Sequence, residues 1–157
     1  MRIIVGISGA TGTIYGIRLL ERCRELNVET HLVLSRWGAR TMLHESAHTR
    51  QQVEGLAHAC YGYGDNLLHR AADVVLKERR KLVLAVREAP LSDIHLENML
   101  KLSRAGAVIL PPMPAFYHRP TTIDDIVDHT VARMLDQFGL EAPGTARWSG
   151  EMGVGED

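Results

Sequence analysis

An α/β fold, with a doubly wound parallel sheet between two layers of helices, is predicted by two features of this chain. Short apolar runs alternate with stretches of helical periodicity, and most runs end in a turn marked by glycine, serine or proline. The first run, Met1 to Ser8, is continuous in β-branched residues rather than alternating, which is the pattern of a strand covered on both faces.

After that strand, Gly9-Ala10-Thr11-Gly12 turns the chain into a helix over about Ile14–Leu26. Glu29–Ser35 is the second strand, and a helical stretch runs from about Trp37 into the fifties. Gly64-Asp65 then precede a helix over Asn66–Arg80, in which Leu67, Leu68, Ala71, Ala72, Val75 and Leu76 fall at helical spacing. No apolar strand separates these two helical stretches, so the alternation is broken once. It resumes with strand Lys81–Val86, a helix at about Ile94–Arg104 started by Ser92-Asp93, strand Ala107–Leu110, a proline-rich loop to Pro120 and helix Ile123–Phe138. The tail from Glu141 to Asp157 has no periodicity, and Trp148 is its one aromatic anchor.

A chain of 157 residues suits one domain with a real core. Hydrophobic residues at 45%, charged residues at 24% and a formal net charge of -1 exclude the strongly basic pattern of a nucleic-acid binder, and no run reaches membrane-spanning length. Cys23 and Cys60 lack C-x-x-C spacing and are read as ordinary thiols in a reducing compartment, the cytoplasm.

Four groups of residues could carry chemistry. The Gly6–Gly12 loop joins a strand end to a helix N-terminus and presents backbone N–H groups to an anion, although it is neither the G-x-G-x-x-G nor the P-loop pattern and equally suits a tight βα turn. His44-Glu45-Ser46-Ala47-His48 matches H-E-x-x-H literally, which would set two imidazoles on one helical face for zinc. A third ligand is not evident, and three fixed positions in five arise readily by chance in a chain with eight histidines. The basic run Lys77 to Lys81 closes a helix, where the dipole favours cations. Most informative are Val86-Arg87-Glu88-Ala89-Pro90 and Pro111 to Pro120, because both follow predicted parallel strands, and ligands of open α/β sheets bind beyond the carboxyl ends of the strands. Arg87 and Glu88 also fit a structural ion pair, whereas a proline-stiffened loop carrying Tyr117 points to a site.

The stretches GISGATGTIYGIRLL, ETHLVLS, RAADVVLKERRKLVLAVREAPLSDIHLENMLKLS, GAVILPPMPAFYHRP and ARMLDQFGL together resemble the flavin prenyltransferases of the UbiX/Pad type, including the small subunit associated with phenolic-acid decarboxylases. The resemblance runs in order through nearly the whole chain. It implies a flavodoxin-like, Rossmann-like flavoprotein domain over residues 1–140, assembled into a large homo-oligomer such as a dodecamer. It also implies metal-independent transfer of a dimethylallyl group from dimethylallyl phosphate to N5 and C6 of reduced FMN. The prenylated FMN would serve a UbiD-type decarboxylase. By the same resemblance Gly9, Ala10, Thr11, Ser35 and Arg87 hold the flavin, Lys77, Tyr117 and Arg133 hold the prenyl phosphate, and Glu45 and Glu88 stand near the reacting centre. Alternatives are an FMN-binding subunit without catalysis and a related flavoprotein that decarboxylates cysteine-containing substrates.

The chain also departs from that family. Between the helix ending near His58 and the helix beginning near Tyr61, its members carry a Ser-Gly-Ser-Phe element, a strand ending in Pro-Cys-Ser and the start of the next helix. None of these is present here. The shortfall is on the order of forty residues, enough for a strand and its crossover connections. Either the segment is deleted, or the sequence joins two pieces across omitted residues, in which case the backbone should break near Ala57–Tyr61.

Overall fold

The computed structural model describes residues 1–62 and 65–144; Trp148 and the rest of the tail lie outside them. Strand β1 (Arg2–Ile7) pairs in parallel with β2 (Glu29–Leu34), from Arg2 opposite Glu29 to Ile7 opposite Leu34. The connecting helix α1 (Thr13–Glu25) buries Thr13, Ile17, Leu20 and Cys23, a three-to-four spacing that lays one stripe of the helix on β1 and β2. Each such apolar side chain contributes roughly 1.5–3 kcal/mol by leaving water.

Ser35 caps α2 (Arg36–Glu45), its hydroxyl accepting from the Gly38 N–H at 2.9 Å. The long helix expected from Trp37 into the fifties is two helices. Ser46 is extended, its hydroxyl donates to the Met42 carbonyl at 3.0 Å, and a Thr49–Gln52 capping box then starts α3 (Arg50–Glu54).

Two further expectations differ from the structure. No strand was expected between these helical stretches, but residues 59–62 form strand β3 (Ala59–Gly62), parallel to β2 with His31 opposite Ala59. This strand was not visible in the sequence because it lies at the sheet edge, where its residues are half-buried or exposed and no apolar run is required. Strand β1, read as covered on both faces, is buried on one only. Ile3, Val5 and Ile7 are buried while Ile4 is 47% exposed.

Helix α4 (Asp65–Lys77) meets β1 where Leu68 sits directly on Gly6, at a point where a Cβ would collide with the leucine. The remaining strands, β4 (Val83–Leu84) and β5 (Val108–Ile109), are parallel to one another but form a separate two-stranded sheet. Between them runs α5 (Asp93–Arg104), capped by Ser92 and carrying no buried residue. Strands and helices thus follow the predicted parallel α/β order, but the described sheet is in two pieces, β1-β2-β3 and β4-β5.

The main core draws its buried residues from β1, α1, β2, α2, α3 and the last helix, α6 (Ile123–Asp136), with Val28 from the turn before β2. Thr122 and Asp125 form the capping box of α6. Backbone N–H groups of Thr121 and Thr122, with both hydroxyls, hold the Asp125 carboxyl down at about 2. Val127, Val131 and Leu135 seat α6 in the core, and Arg18 fastens it to α1. The Arg18 guanidinium donates to Asp128 at 2.6 Å and Asp124 at 3.0 Å and also pairs with Glu21 at 2.9 Å. Its side chain is only 18% exposed, so these bonds are partly shielded from water.

Arg18→Ala is therefore expected to lower the unfolding free energy by about 1–3 kcal/mol. The thermal midpoint should fall by several degrees in a circular-dichroism melt. A loss within about 0.5 kcal/mol, the scale of ordinary surface changes, would mean that apolar packing alone holds α6.

Candidate functional site

Parallel strands deliver their following loops to the same end of a sheet. At the end of β1 the chain passes through Gly9-Ala10-Thr11 to Gly12, whose φ of 93° lies in the left-handed region and precedes α1 without a side-chain cap of its own. The missing cap comes from α2. Glu45 Oε2 accepts from the N–H of Gly12 at 2.9 Å, from the N–H of Thr13 at 3.2 Å and from the Thr13 hydroxyl at 3.1 Å. Partial burial pushes the Glu45 carboxyl up, but the Thr11 hydroxyl and the Gly12 and Thr13 N–H groups outweigh it and hold the group below its ordinary value.

The loop and α2 are locked to one another. Ser35, 3% exposed, donates its N–H to the Ile7 carbonyl at 3.0 Å, and the Thr41 hydroxyl donates to the Gly9 carbonyl at 3.1 Å. A Cβ at Gly9 would stand 2.6 Å from Cβ of Trp37. One at Gly38 would strike the Ile7 carbonyl. Five of the predicted residues, Gly9, Ala10, Thr11, Ser35 and Glu45, are thus brought together around the N-terminus of α1. The N–H groups of Gly9, Ala10 and Thr11 point to no partner among the described residues, so they fit an anion such as the phosphate of a flavin mononucleotide, while the Thr11 hydroxyl is turned to the Glu45 carboxylate.

A second cluster forms where the loop after β5 meets α6. Tyr117 Oη lies 2.6 Å from His129 Nε2, and Arg133 stands one turn further along α6. His129 and Arg133 line a cleft of about 290 Å³ with Val108 to Pro111, Met113, Thr130 and Gln137. Arg133 is half exposed and pairs with Asp136 at 2.9 Å. Its guanidinium has donors left for an anionic ligand. Burial, His118 and Arg133 push His129 down, with Asp136 opposing, which keeps the imidazole neutral near pH 7.

The other predicted residues are not drawn into either cluster. Arg87 and Glu88 follow β4 and are exposed, and Glu88 accepts from the Ala89 N–H at 3.0 Å, so Arg87 and Glu88 make no structural ion pair. Lys77 is exposed at the last position of α4. The literal H-E-x-x-H match does not set two imidazoles on one helical face, because α2 ends at Glu45 and His48 lies beyond Ser46. Among the described residues no three His, Cys, Asp or Glu side chains gather as a metal set. Sequence reasoning included Gly12 in the loop but missed Thr13 and His129. A glycine in place of a capping side chain before the helix would have signalled Thr13, but a histidine on a buried helical stripe gives no signal before the loop opposite is known.

The family model described as Flavoprotein matches residues 52–135. The chain is 48% identical to a protein from Streptomyces sp. (strain D7) called a probable UbiX-like flavin prenyltransferase, over 185 residues that cover 96% of this chain and 92% of the relative. That alignment exceeds the 157 residues present here by 28, so the relative has an internal stretch without counterpart. Two crystal structures are similar. A dodecameric FMN-dependent UbiX-like decarboxylase from Escherichia coli O157:H7 superposes with a TM-score of 0.91 at 47% identity, covering 94% of this chain and 99% of that one. AnUbiX (PadA1) in complex with FMN and dimethylallyl pyrophosphate superposes with a TM-score of 0.94 at 41% identity, covering 97% and 99%.

The depressed Glu45 carboxyl fixes the sign of one pH effect. Its contribution to stability is complete above the ordinary carboxylate value near 4.5 and disappears as pH falls through the lower folded value. The thermal midpoint of Glu45→Gln should lie below that of the parent at pH 7 and converge on it in acid below pH 4.5. A constant difference across that range would separate Glu45 from the α1 cap.

Proposed function

The chain belongs to the flavoprotein family and, within it, to the UbiX-like flavin prenyltransferases, and from that premise we propose how its own residues transfer a dimethylallyl group from dimethylallyl phosphate to reduced FMN. The observation carrying this reading is near-complete similarity to such enzymes, including one crystallised with both FMN and a dimethylallyl donor. Reduced FMN, when bound, supplies the N5 and C6 positions that take the prenyl group. The chain's part is to hold, orient and neutralise.

Gly9, Ala10 and Thr11 hold the flavin phosphate at the N-terminus of α1, with Ser35 fixing the loop, and the family pattern adds Arg87, exposed after β4. Tyr117, bonded to His129, and Arg133, which borders the α6 cleft with His129, take the phosphate of the prenyl donor, and the family pattern adds Lys77. The phenol donates a hydrogen bond and the two cations stabilise negative charge as the phosphate departs, which supplies without a metal ion the charge that such a step requires. Glu45 and Glu88 are the proton-transfer groups. Glu45 offers a carboxylate beside the flavin cradle, and Glu88 offers one on the exposed loop after β4.

We place the stretch that the relative has and this chain lacks between Ala57 and Tyr61. The two-piece sheet supports this, because one further parallel strand between β1 and β4 would join them. The same observation favours a second reading, an FMN-binding subunit that does not turn over. The exposed apolar side chains Ile94, Phe116 and Ile123 support assembly into a homo-oligomer, with the dodecamer of the Escherichia coli relative as its pattern. No described helix is long and apolar enough to cross a membrane. We assign the protein to the cytoplasm and its product to a UbiD-type decarboxylase.

Incubation with reduced FMN and dimethylallyl phosphate should give prenylated FMN, detected by mass. Retained flavin without product would establish the second reading. Lys77→Ala and Arg133→Ala are each expected to lower turnover about 10²-fold, the scale of a lost transition-state charge contact, while flavin affinity stays unchanged. Equal loss of flavin affinity would place these cations at the wrong ligand. Glu88→Gln should fold normally and react more slowly, and an unaltered rate would remove it from the proton-transfer role.

A further inference from the structure

Tyr117, 46% exposed, stands in the loop from Pro111 to Pro120 with its ring edge-on to His118 at 5.5 Å. Torsional freedom of the phenol O–H is a cost to any contact it makes with a ligand. What meets the oxygen is His129 Nε2 at 2.6 Å, on a helix rather than a loop, from a residue only 8% exposed. The ring of His129 is itself held: His118 stacks on it with centroids 4.6 Å apart and planes 9° apart, and Tyr117 stands edge-on at 5.4 Å. One helical turn separates His129 from Arg133, so both lie on the same side of α6 and border the same cleft.

We propose that His129 is a positioning residue for Tyr117, its Nε2–H donating to the phenol oxygen so that the phenol's own hydrogen is directed at the phosphate of the prenyl donor. This rests on the reading that Tyr117 contacts that phosphate. The direction of the bond decides the outcome. An imidazole accepting at Nε2 would consume the phenol's hydrogen, while one donating there leaves it for the ligand. The charged groups around the ring are Arg133 and Asp136 on its own helix, with Arg22, Arg119, Asp125 and Asp128 bordering the cleft on its other side. A neutral ring among these groups keeps the Tyr117 contact free of a fixed charge.

The test compares His129→Phe, His129→Gln, Tyr117→Phe and the double variant His129→Phe/Tyr117→Phe in the full-length protein. Each is first checked for an unchanged melting profile and flavin affinity. His129→Phe should raise KM for dimethylallyl phosphate about 3- to 10-fold, the range of one hydrogen bond, with a smaller effect on kcat. His129→Gln, which keeps a side-chain N–H, should recover most of the loss. The double variant should be no worse than Tyr117→Phe alone. Losses that multiply in the double variant, or an unchanged KM in His129→Phe beside an impaired Tyr117→Phe, would overturn the role of His129. An unaffected Tyr117→Phe would overturn the reading of Tyr117 and the proposal with it. Nitrogen-15 NMR of the imidazole gives a check independent of turnover. It should show Nε2 protonated and perturbed by Tyr117→Phe, and an Nδ1–H tautomer would refute the proposed bond.

Discussion

Much of this molecule depends on the approach of α2 to the carboxyl end of β1. Gly38 packs where any Cβ would meet the Ile7 carbonyl, and the Ser35 N–H bonds to that same carbonyl. This closeness has two consequences along α2. At its start, Trp37 and Thr41 grip the Gly9 loop. At its end, Glu45 reaches the bare N-terminus of α1 and completes the cap that the left-handed Gly12 leaves open. One steric constraint thus shapes the anion cradle and places a carboxylate beside it.

The core explains why only part of the chain is firmly organised. Its buried members come from residues 3–53 and from α6, with none from α4, β4, α5 or β5. Those middle elements have helical periodicity and good caps, yet α5 buries nothing and the two strands are two residues long. Local propensity makes the helices, but a strand is only as long as its neighbours allow. With β1 unpaired on one side among the described residues, β4 has no continuous sheet to extend. The apolar surface left on α5 and the loop after β5 is what a subunit interface would cover.

The order of elements was legible in the sequence because each signal was local: β-branched runs, Ser35 and Ser92 before their helices, prolines after β5. The rule that loops meet at strand ends singled out the Gly9 loop as a ligand end, while Ser35 came from the resemblance alone. The Glu45 cap was not legible, since the resemblance set Glu45 only near the reacting centre and nothing in the helix around it announces that its last residue caps another helix. Burial of both β1 faces failed for a different reason. The residues of β1 are apolar enough for a buried central strand, but its Ile4 face is covered only in part, by Leu68 of α4 over Gly6. The sequence pattern records the sheet this strand is suited to rather than the one it sits in.

The two halves of the proposed site stand on different supports. The proposed flavin cradle belongs to α1 and α2, and the cleft proposed for the prenyl phosphate belongs to α6 and the loop before it. The distance between them is therefore set where α6 crosses α1, by Val127, Val131 and Leu135 in the core and by the bonds from Arg18 to Asp124 and Asp128. The proposed cradle does not need the short strands β4 and β5, whereas β5 and the loop after it line the cleft at Val108 to Pro111, and Arg87, Glu88 and Lys77 hang from the ends of β4 and α4, outside the core. Anion binding at the cradle can therefore persist in a chain whose central sheet is interrupted, while placement of the groups at the reacting centre, where an error of 1 Å is costly, depends on whatever completes that sheet. Loss of the intervening stretch should accordingly weigh on turnover more than on flavin affinity.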